Sequence, residues 1–151
     1  MEKEREEVPR ESFERDHSVR TVVLDTDVLI DHAHRLAPWI NEILKDRNNY
    51  IAIVPTVVVA EYLTTQEEEI KISAERSKKY LALFHFQDFT YNIAEVLGRI
   101  LRRKTYVQEA SFADLIIAST CLYLDGELAT RNKKDFAKIP HLRFFDPKNL
   151  L

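Results

Sequence analysis

Acidic side chains stand at four separated places in this sequence, each where a carboxylate calls for an explanation. The stretch Val22-Val23-Leu24 is an aliphatic run that stops at Asp25, with Asp27 and Asp31 close behind. Glu61 is the one charge in Val57-Val58-Val59-Ala60-Glu61-Tyr62-Leu63. Asp114 sits in Ser111-Phe112-Ala113-Asp114-Leu115-Ile116-Ile117, and Asn132 and Asp135 follow Thr130-Arg131 near the end. Carboxylates brought together away from water repel one another unless a proton or a cation sits among them. Carboxylate oxygens without Cys or His at ligand spacing suit Mg²⁺ or Mn²⁺ rather than zinc. The chemistry such a cluster supports is the binding of a divalent cation.

Each acid also has a plain structural explanation. Asp25 or Asp27 is suited to cap a helix or to sit in its electropositive first turn. Glu61 marks either the solvent side of its helix or a buried carboxylate in need of a partner. Ser111 and Asp114 have the spacing of a capping box, which requires no function. The helix they open is apolar nearly all round, which predicts that its N-terminus points into the protein.

The elements that must position these groups alternate along the chain. Thr21–Leu24, Tyr50–Val54, the region of Phe84, Phe86 and Phe89, Glu127–Thr130 and Leu142–Phe145 read as strands. Between them, helices are predicted over Val28–His34, from Pro38 through Leu44, and from Thr56 (as cap) through Leu63, although Val57-Val58-Val59 alone would pass for strand. Further helices are predicted over Glu67–Leu83, from Thr90 (as cap) through Leu101, over Ser111–Leu124 and over Lys133–Lys138. This alternation predicts an α/β fold, a mostly parallel sheet with helices on both faces, in which ligands bind beyond the carboxyl ends of the strands. Asp25 and the segment after Thr130 fall at two such ends.

With 151 residues, the chain suits one domain with a substantial core. Residues 1–20 mix acids and bases densely around Pro9 and read as a flexible N-terminal arm, leaving 21–151 as the folded domain. No signal peptide or membrane span is visible, and the single cysteine, Cys121, reads as a small buried hydrophobe. These features point to a cytoplasmic protein that does not engage a membrane. A net charge of −3 argues against a general nucleic-acid coat protein, though not against a nuclease whose acids hold cations. His32 and His34 read as residues of a solvated helix face.

From Thr21 to Phe145 the chain resembles a PIN domain, and in size and motif order a VapC-like toxin ribonuclease. The resemblance rests on Val22-Val23-Leu24-Asp25-Thr26-Asp27-Val28-Leu29-Ile30, the helix around Glu61, Phe112-Ala113-Asp114-Leu115-Ile116-Ile117-Ala118-Ser119, and the run from Glu127 to Phe136. It implies a three-layer α/β/α sandwich, and Asp25, Glu61 and Asp114 as ligands of Mg²⁺ or Mn²⁺, with Asp27 beside the ligands. Asn132 falls at the family's fourth position, which often carries an acid. Asn132 is therefore expected to polarise a water, and Asp135 to contribute from outside the metal's ligands or to cap its short helix. The implied activity is that of a metal-dependent endoribonuclease acting on an RNA substrate, the toxin of a type II toxin-antitoxin pair. A small antitoxin protein and a homodimer follow from the same resemblance.

Two rival readings remain at this point. A haloacid-dehalogenase-type phosphatase shares an Asp-x-Asp after its first strand, but expects a Gly where Val28 stands, together with a separate Lys and a late pair of acids. A non-catalytic PIN-like RNA-binding module would not need all three core acids. Thr130 is a candidate to orient a water or phosphate, and Arg131, Lys133 and Lys134, with Arg99, Arg102, Arg103 and Lys104, are candidate phosphate contacts.

Overall fold

The computed structural model describes residues 19–65, 70–103 and 110–150, the side chains of 70–73 excepted. Nearly all of the proposed arm, and Lys104, lie outside these residues. Arg20, assigned to the arm by sequence, instead opens the first strand.

That strand, β1 (Arg20–Leu24), places Val22, Val23 and Leu24 wholly out of solvent. A strand covered on both faces reads as a continuous aliphatic run, and β-branched residues favour the pleated backbone. β1 pairs in parallel with β2 (Tyr50–Pro55) on one side and with β4 (Glu127–Ala129) on the other. β3 (His85–Gln87) extends the sheet beyond β2, and β5 (Arg143–Phe144) extends it beyond β4. The result is one five-stranded, all-parallel sheet of order β3-β2-β1-β4-β5.

This order creates a switch point. The chain moves outward from β1 to β2 and β3, then returns to lay β4 against the free side of β1. Connections leave β1 and β4 in opposite directions, and the crevice between their carboxyl ends is where sheets of this kind bind ligands. Right-handed crossovers put the connections of the two halves on opposite faces of the sheet. On the way to β3 run α1 (Thr26–Ala33), α2 (Trp39–Lys45), α3 (Thr56–Thr64) and α4 (Ile70–Leu81). α5 (Tyr91–Arg102) and α6 (Phe112–Tyr123) lead back to β4, and the short α7 (Lys133–Phe136) joins β4 to β5. α5 packs on α6, while α3 touches both α1 and α6.

Two local outcomes differ from the sequence reading, at Thr56 and at His32. Thr56 does not cap α3: Pro55 stands at the cap position, with ψ 142, and no side chain caps the helix. The run Val57-Val58-Val59 is helical, as read: Val58 fills a fully buried position on α3, so packing overrides the strand preference of β-branched residues. His32 is half-buried rather than on an open helix face. Its two ring nitrogens hydrogen-bond Tyr80 Oη and Asn41 Oδ1, each at 2.8 Å, and its ring stacks on Tyr80. His34 is exposed, as read.

The core is closed by Leu29, Ile40, Ile43, Val54, Ile93, Ile117, Leu128, Phe136 and Phe145, all essentially without solvent contact. Cys121 is buried among them, and burial pushes its thiol up to about 12. Arg20 ties β1 to β4 through two bonds to Glu127, Nε to Oε2 at 2.9 Å and Nη2 to Oε1 at 2.8 Å. Among the described residues no helix is long and apolar enough to cross a membrane.

Candidate active site

Asp25 occupies the switch point. Its backbone N–H continues the ladder of β1 onto the Ala129 carbonyl at 3.0 Å, so the residue is stitched to the end of β4. Its side chain caps α1, accepting from the Thr26 N–H at 2.7 Å through Oδ1. The other oxygen, Oδ2, accepts from the Thr130 hydroxyl at 2.8 Å. Asp25 is 7% exposed. Burial pushes its carboxyl up to about 6, the nearby charges of Asp27 and Asp114 push the same way, and the Thr130 and Thr26 hydrogen bonds oppose them. The structural reading of Asp25 therefore holds: Oδ1 caps α1, and Oδ2 lies at the crevice on the Thr130 hydroxyl.

Thr130 is itself buried, and its hydroxyl both donates to Asp25 and accepts from the Asn132 N–H at 3.0 Å. A hydroxyl has one proton to give. With that proton on Asp25, the longer 3.5 Å approach to Asp27 Oδ2 is the lesser contact. Thr130 thus couples the end of β4 to the end of β1, across a sequence gap that no local pattern reveals.

Asp27 lies beside Asp25. Its Oδ1 accepts from the Val28 N–H at 2.7 Å, and its Oδ2 accepts from the Arg131 N–H at 2.9 Å. Burial raises its carboxyl, against the pull of those two N–H groups.

Glu61, on α3, is half-buried. Its Oε1 accepts from the Thr26 hydroxyl at 2.8 Å, which fastens it to the loop that carries Asp25. The neighbouring Ala60, Leu63 and Thr64 are exposed, so the helix is open on one side and Glu61 stands at its border. Thr26 is a site residue that sequence reading missed. Its signal was a hydroxyl between two acids, which gains meaning only when α3 is laid across it.

Asp114 shows the capping box in full. Ser111 Oγ accepts from the Asp114 N–H at 3.1 Å, and Asp114 Oδ2 accepts from the Ser111 N–H at 3.0 Å. The expectation that this N-terminus points into the protein fails. Ser111 is exposed, Phe112 is 61% exposed, and full burial of α6 begins only at Leu115. Asp114 therefore stands half-buried at the rim of the crevice, close enough for its charge to act on Asp25.

Asn132 and Asp135 complete the arrangement. Both follow β4, and the Asn132 amide donates to Asp135 Oδ2. Asn132 is exposed, Asp135 half-buried, and neither side chain caps α7. The two groups are engaged with each other beside Thr130. Lys133 and Lys134 are exposed, as are Arg99, Arg102 and Arg103.

Glu61 reaches the start of α1 through Thr26, and the charge of Asp114 acts on Asp25, but the three acids form no closed cage. Among the described residues, no three His, Cys, Asp or Glu side chains converge to enclose a metal ion. The donor chemistry nevertheless fits Mg²⁺ or Mn²⁺, because Asp25, Asp27, Glu61 and Asp114, with the Thr26 and Thr130 hydroxyls, all offer oxygen. Mg²⁺ retains several waters and takes one or two carboxylates directly, so it does not demand a cage. Asp25, with Glu61 and Asp114 at its flanks, would hold such an ion.

The fold and the site together define a parallel α/β protein with an acidic, oxygen-lined crevice at its switch point. The chain belongs to the PIN domain family, whose sequence profile matches residues 22–142. Among solved structures, it is similar to a chain in the DNA-bound VapBC of Salmonella typhimurium, with TM-score 0.71 at 18% identity over 85% of this chain and 99% of that one. A chain of VapBC2 from Rickettsia felis, bound to a DNA fragment from its promoter, superposes with TM-score 0.70 at 19% identity, over 83% and 97%. A chain of a toxin-antitoxin complex from Klebsiella pneumoniae reaches 25% identity with TM-score 0.62, over 83% and 97%. No curated protein matches the chain.

Proposed function

We propose that this protein is a metal-dependent endoribonuclease that hydrolyses RNA phosphodiester bonds, and that it is the toxin of a type II toxin-antitoxin pair. The observation that carries the reading is Asp25: a buried carboxylate at the switch point, pushed up to about 6, with the charges of Asp27 and Asp114 acting on it. Near neutral pH its charge is only partly offset by the Thr26 and Thr130 hydrogen bonds, and a divalent cation would relieve it.

In this reading Asp25, Glu61 and Asp114 hold Mg²⁺ or Mn²⁺, directly or through water. When bound, the ion supplies an activated water and neutralises charge on the phosphate. The chain's own part is positional. Thr130 fixes the rotamer of Asp25, Thr26 fixes Glu61, and Ser111 fixes Asp114. Asn132 orients a water at the mouth of the crevice, and Asp135 orients Asn132 through their hydrogen bond. A small antitoxin protein as partner, and a homodimer, belong to the same proposal. Support for the antitoxin comes from the similar structures, which are of VapBC and toxin-antitoxin complexes.

The test is RNA cleavage by the purified protein with Mg²⁺ or Mn²⁺, with EDTA, and after Asp114→Asn. Cleavage is expected only with metal and only with Asp114 ionised. A folded Asp114→Asn protein that cuts RNA like the wild type refutes the assignment, and turnover of small phosphate monoesters without RNA cleavage would favour a phosphatase.

A further inference from the structure

α1 carries two acids one turn apart, Asp27 and Asp31, and both hold the same residue at the end of β4. Asp27 Oδ2 accepts from the Arg131 N–H at 2.9 Å, and Asp31 Oδ2 meets Arg131 Nε at 2.8 Å. Residues four apart share one face of a helix, so a single helical face fixes both the main chain and the side chain of Arg131. Arg131 directly follows Thr130, whose hydroxyl touches Asp25. Its guanidinium is anchored, yet the side chain remains 65% exposed.

An exposed ion pair adds little to stability, so the consequence of this one is geometric. Asp31 meets the guanidinium most closely at Nε, not at Nη1 or Nη2, and the side chain stays largely exposed. Those two nitrogens form the fork that matches phosphate oxygens. The crevice beside them is lined by acids that repel a phosphodiester, so substrate binding needs a cation held at the rim. Lys133, Lys134, Arg99, Arg102 and Arg103 are exposed cations, but no carboxylate of the described residues anchors them in this way.

We propose that Arg131 binds a backbone phosphate of the RNA next to the cleaved bond, and that Asp27 and Asp31 are its positioning residues rather than metal ligands. This rests on the nuclease reading above. Arg131→Gln removes charge and fork together. Arg131→Lys keeps the charge but loses Nε and the fork. Asp31→Asn keeps the arginine but loosens it, and it also removes an anion from the phosphate's path.

The experiment measures binding of a fluorescent single-stranded oligoribonucleotide of mixed sequence over a range of salt concentrations. Beside it, kcat and KM are measured on RNA that the wild type cleaves, and thermal midpoints verify folding. Arg131→Gln should weaken binding about tenfold at low salt and reduce the slope of log K against log salt by about 0.7, the share of one phosphate contact on a single strand. Arg131→Lys should keep the slope while kcat falls about tenfold, because a flexible ammonium does not replace the planar fork. Asp31→Asn should bind at least as tightly as the wild type, yet show kcat lowered about tenfold through lost positioning. A merely structural ion pair would move the thermal midpoint and leave this opposition of binding and kcat absent. Wild-type affinity and salt slope in Arg131→Gln overturn the phosphate contact, and wild-type kcat in Asp31→Asn overturns the positioning role. If the wild type itself neither binds nor cuts RNA, the nuclease reading falls and this inference falls with it. If the wild type does both and Arg131→Gln matches it, this inference alone is refuted.

Discussion

Asp25→Asn should make the metal-free protein more stable while abolishing its activity. The wild-type carboxyl lies at about 6 in the fold, against 3.8 for an unperturbed aspartate, chiefly because burial disfavours its charge. Ionising it inside the fold therefore costs on the order of 3 kcal/mol. Relaxation and the remaining polar contacts reduce this, and a difference of about 2 kcal/mol is the expected net effect. The sign follows from proton binding. The folded state holds the Asp25 proton more tightly than the unfolded state, so this residue's contribution to stability is full below about pH 4 and is lost as pH rises through about 6. Asparagine is an equally good helix cap and escapes the charge penalty. At pH 7.5 in EDTA the variant should melt roughly 4–8 °C above the wild type, since about 1 kcal/mol corresponds to about 2–4 °C in a chain of this size. At pH 4.5, where Asp25 is mostly protonated in the fold, the gap should shrink toward zero. Mg²⁺ or Mn²⁺ at pH 7.5 should raise the melting temperature of the wild type and leave the variant unmoved. Calorimetry or circular dichroism at the two pH values decides the matter. A variant that is less stable at pH 7.5, or a gap that is the same at both pH values, refutes the claim that buried charge strains this site.

Thr130→Val removes the hydroxyl between Asp25 and the Asn132 N–H, with an expected loss of about 2 kcal/mol at neutral pH, read by urea unfolding. The same change should raise the Asp25 carboxyl further, because the Thr130 bond now holds it down; an unaltered carboxyl titration by NMR would count against that role. Ser111→Ala removes the N-cap of α6 and should destabilise the protein by about 1 kcal/mol, again measured by urea unfolding.

Much of the architecture was legible in the sequence because it depends on local physics. Val22-Val23-Leu24 is an apolar run that only a doubly covered strand uses well, and it predicts a parallel sheet. Thr90 caps α5 and Ser111 caps α6 as their spacing implies, since a hydroxyl reaches an N–H only a few residues away. The four matching motifs were readable for the same reason, and with them came the PIN family. The sequence also distinguished Asp25 as an acid at a strand's carboxyl end.

What tertiary structure alone decided was which ends meet. The return of β4 to the open side of β1 cannot be read from periodicity, yet it makes the switch point and brings Thr130 onto Asp25. Thr26 gained a role only when α3 set Glu61 above it, and Asp31 only when the β4 end delivered Arg131. Asp114 illustrates the opposite failure. An apolar helix suggested a buried start, but α6 becomes enclosed only from Leu115 onward, leaving its first turn at the rim. Hydrophobic content reports how much of a helix is covered, and the neighbours that arrive from distant sequence determine which end.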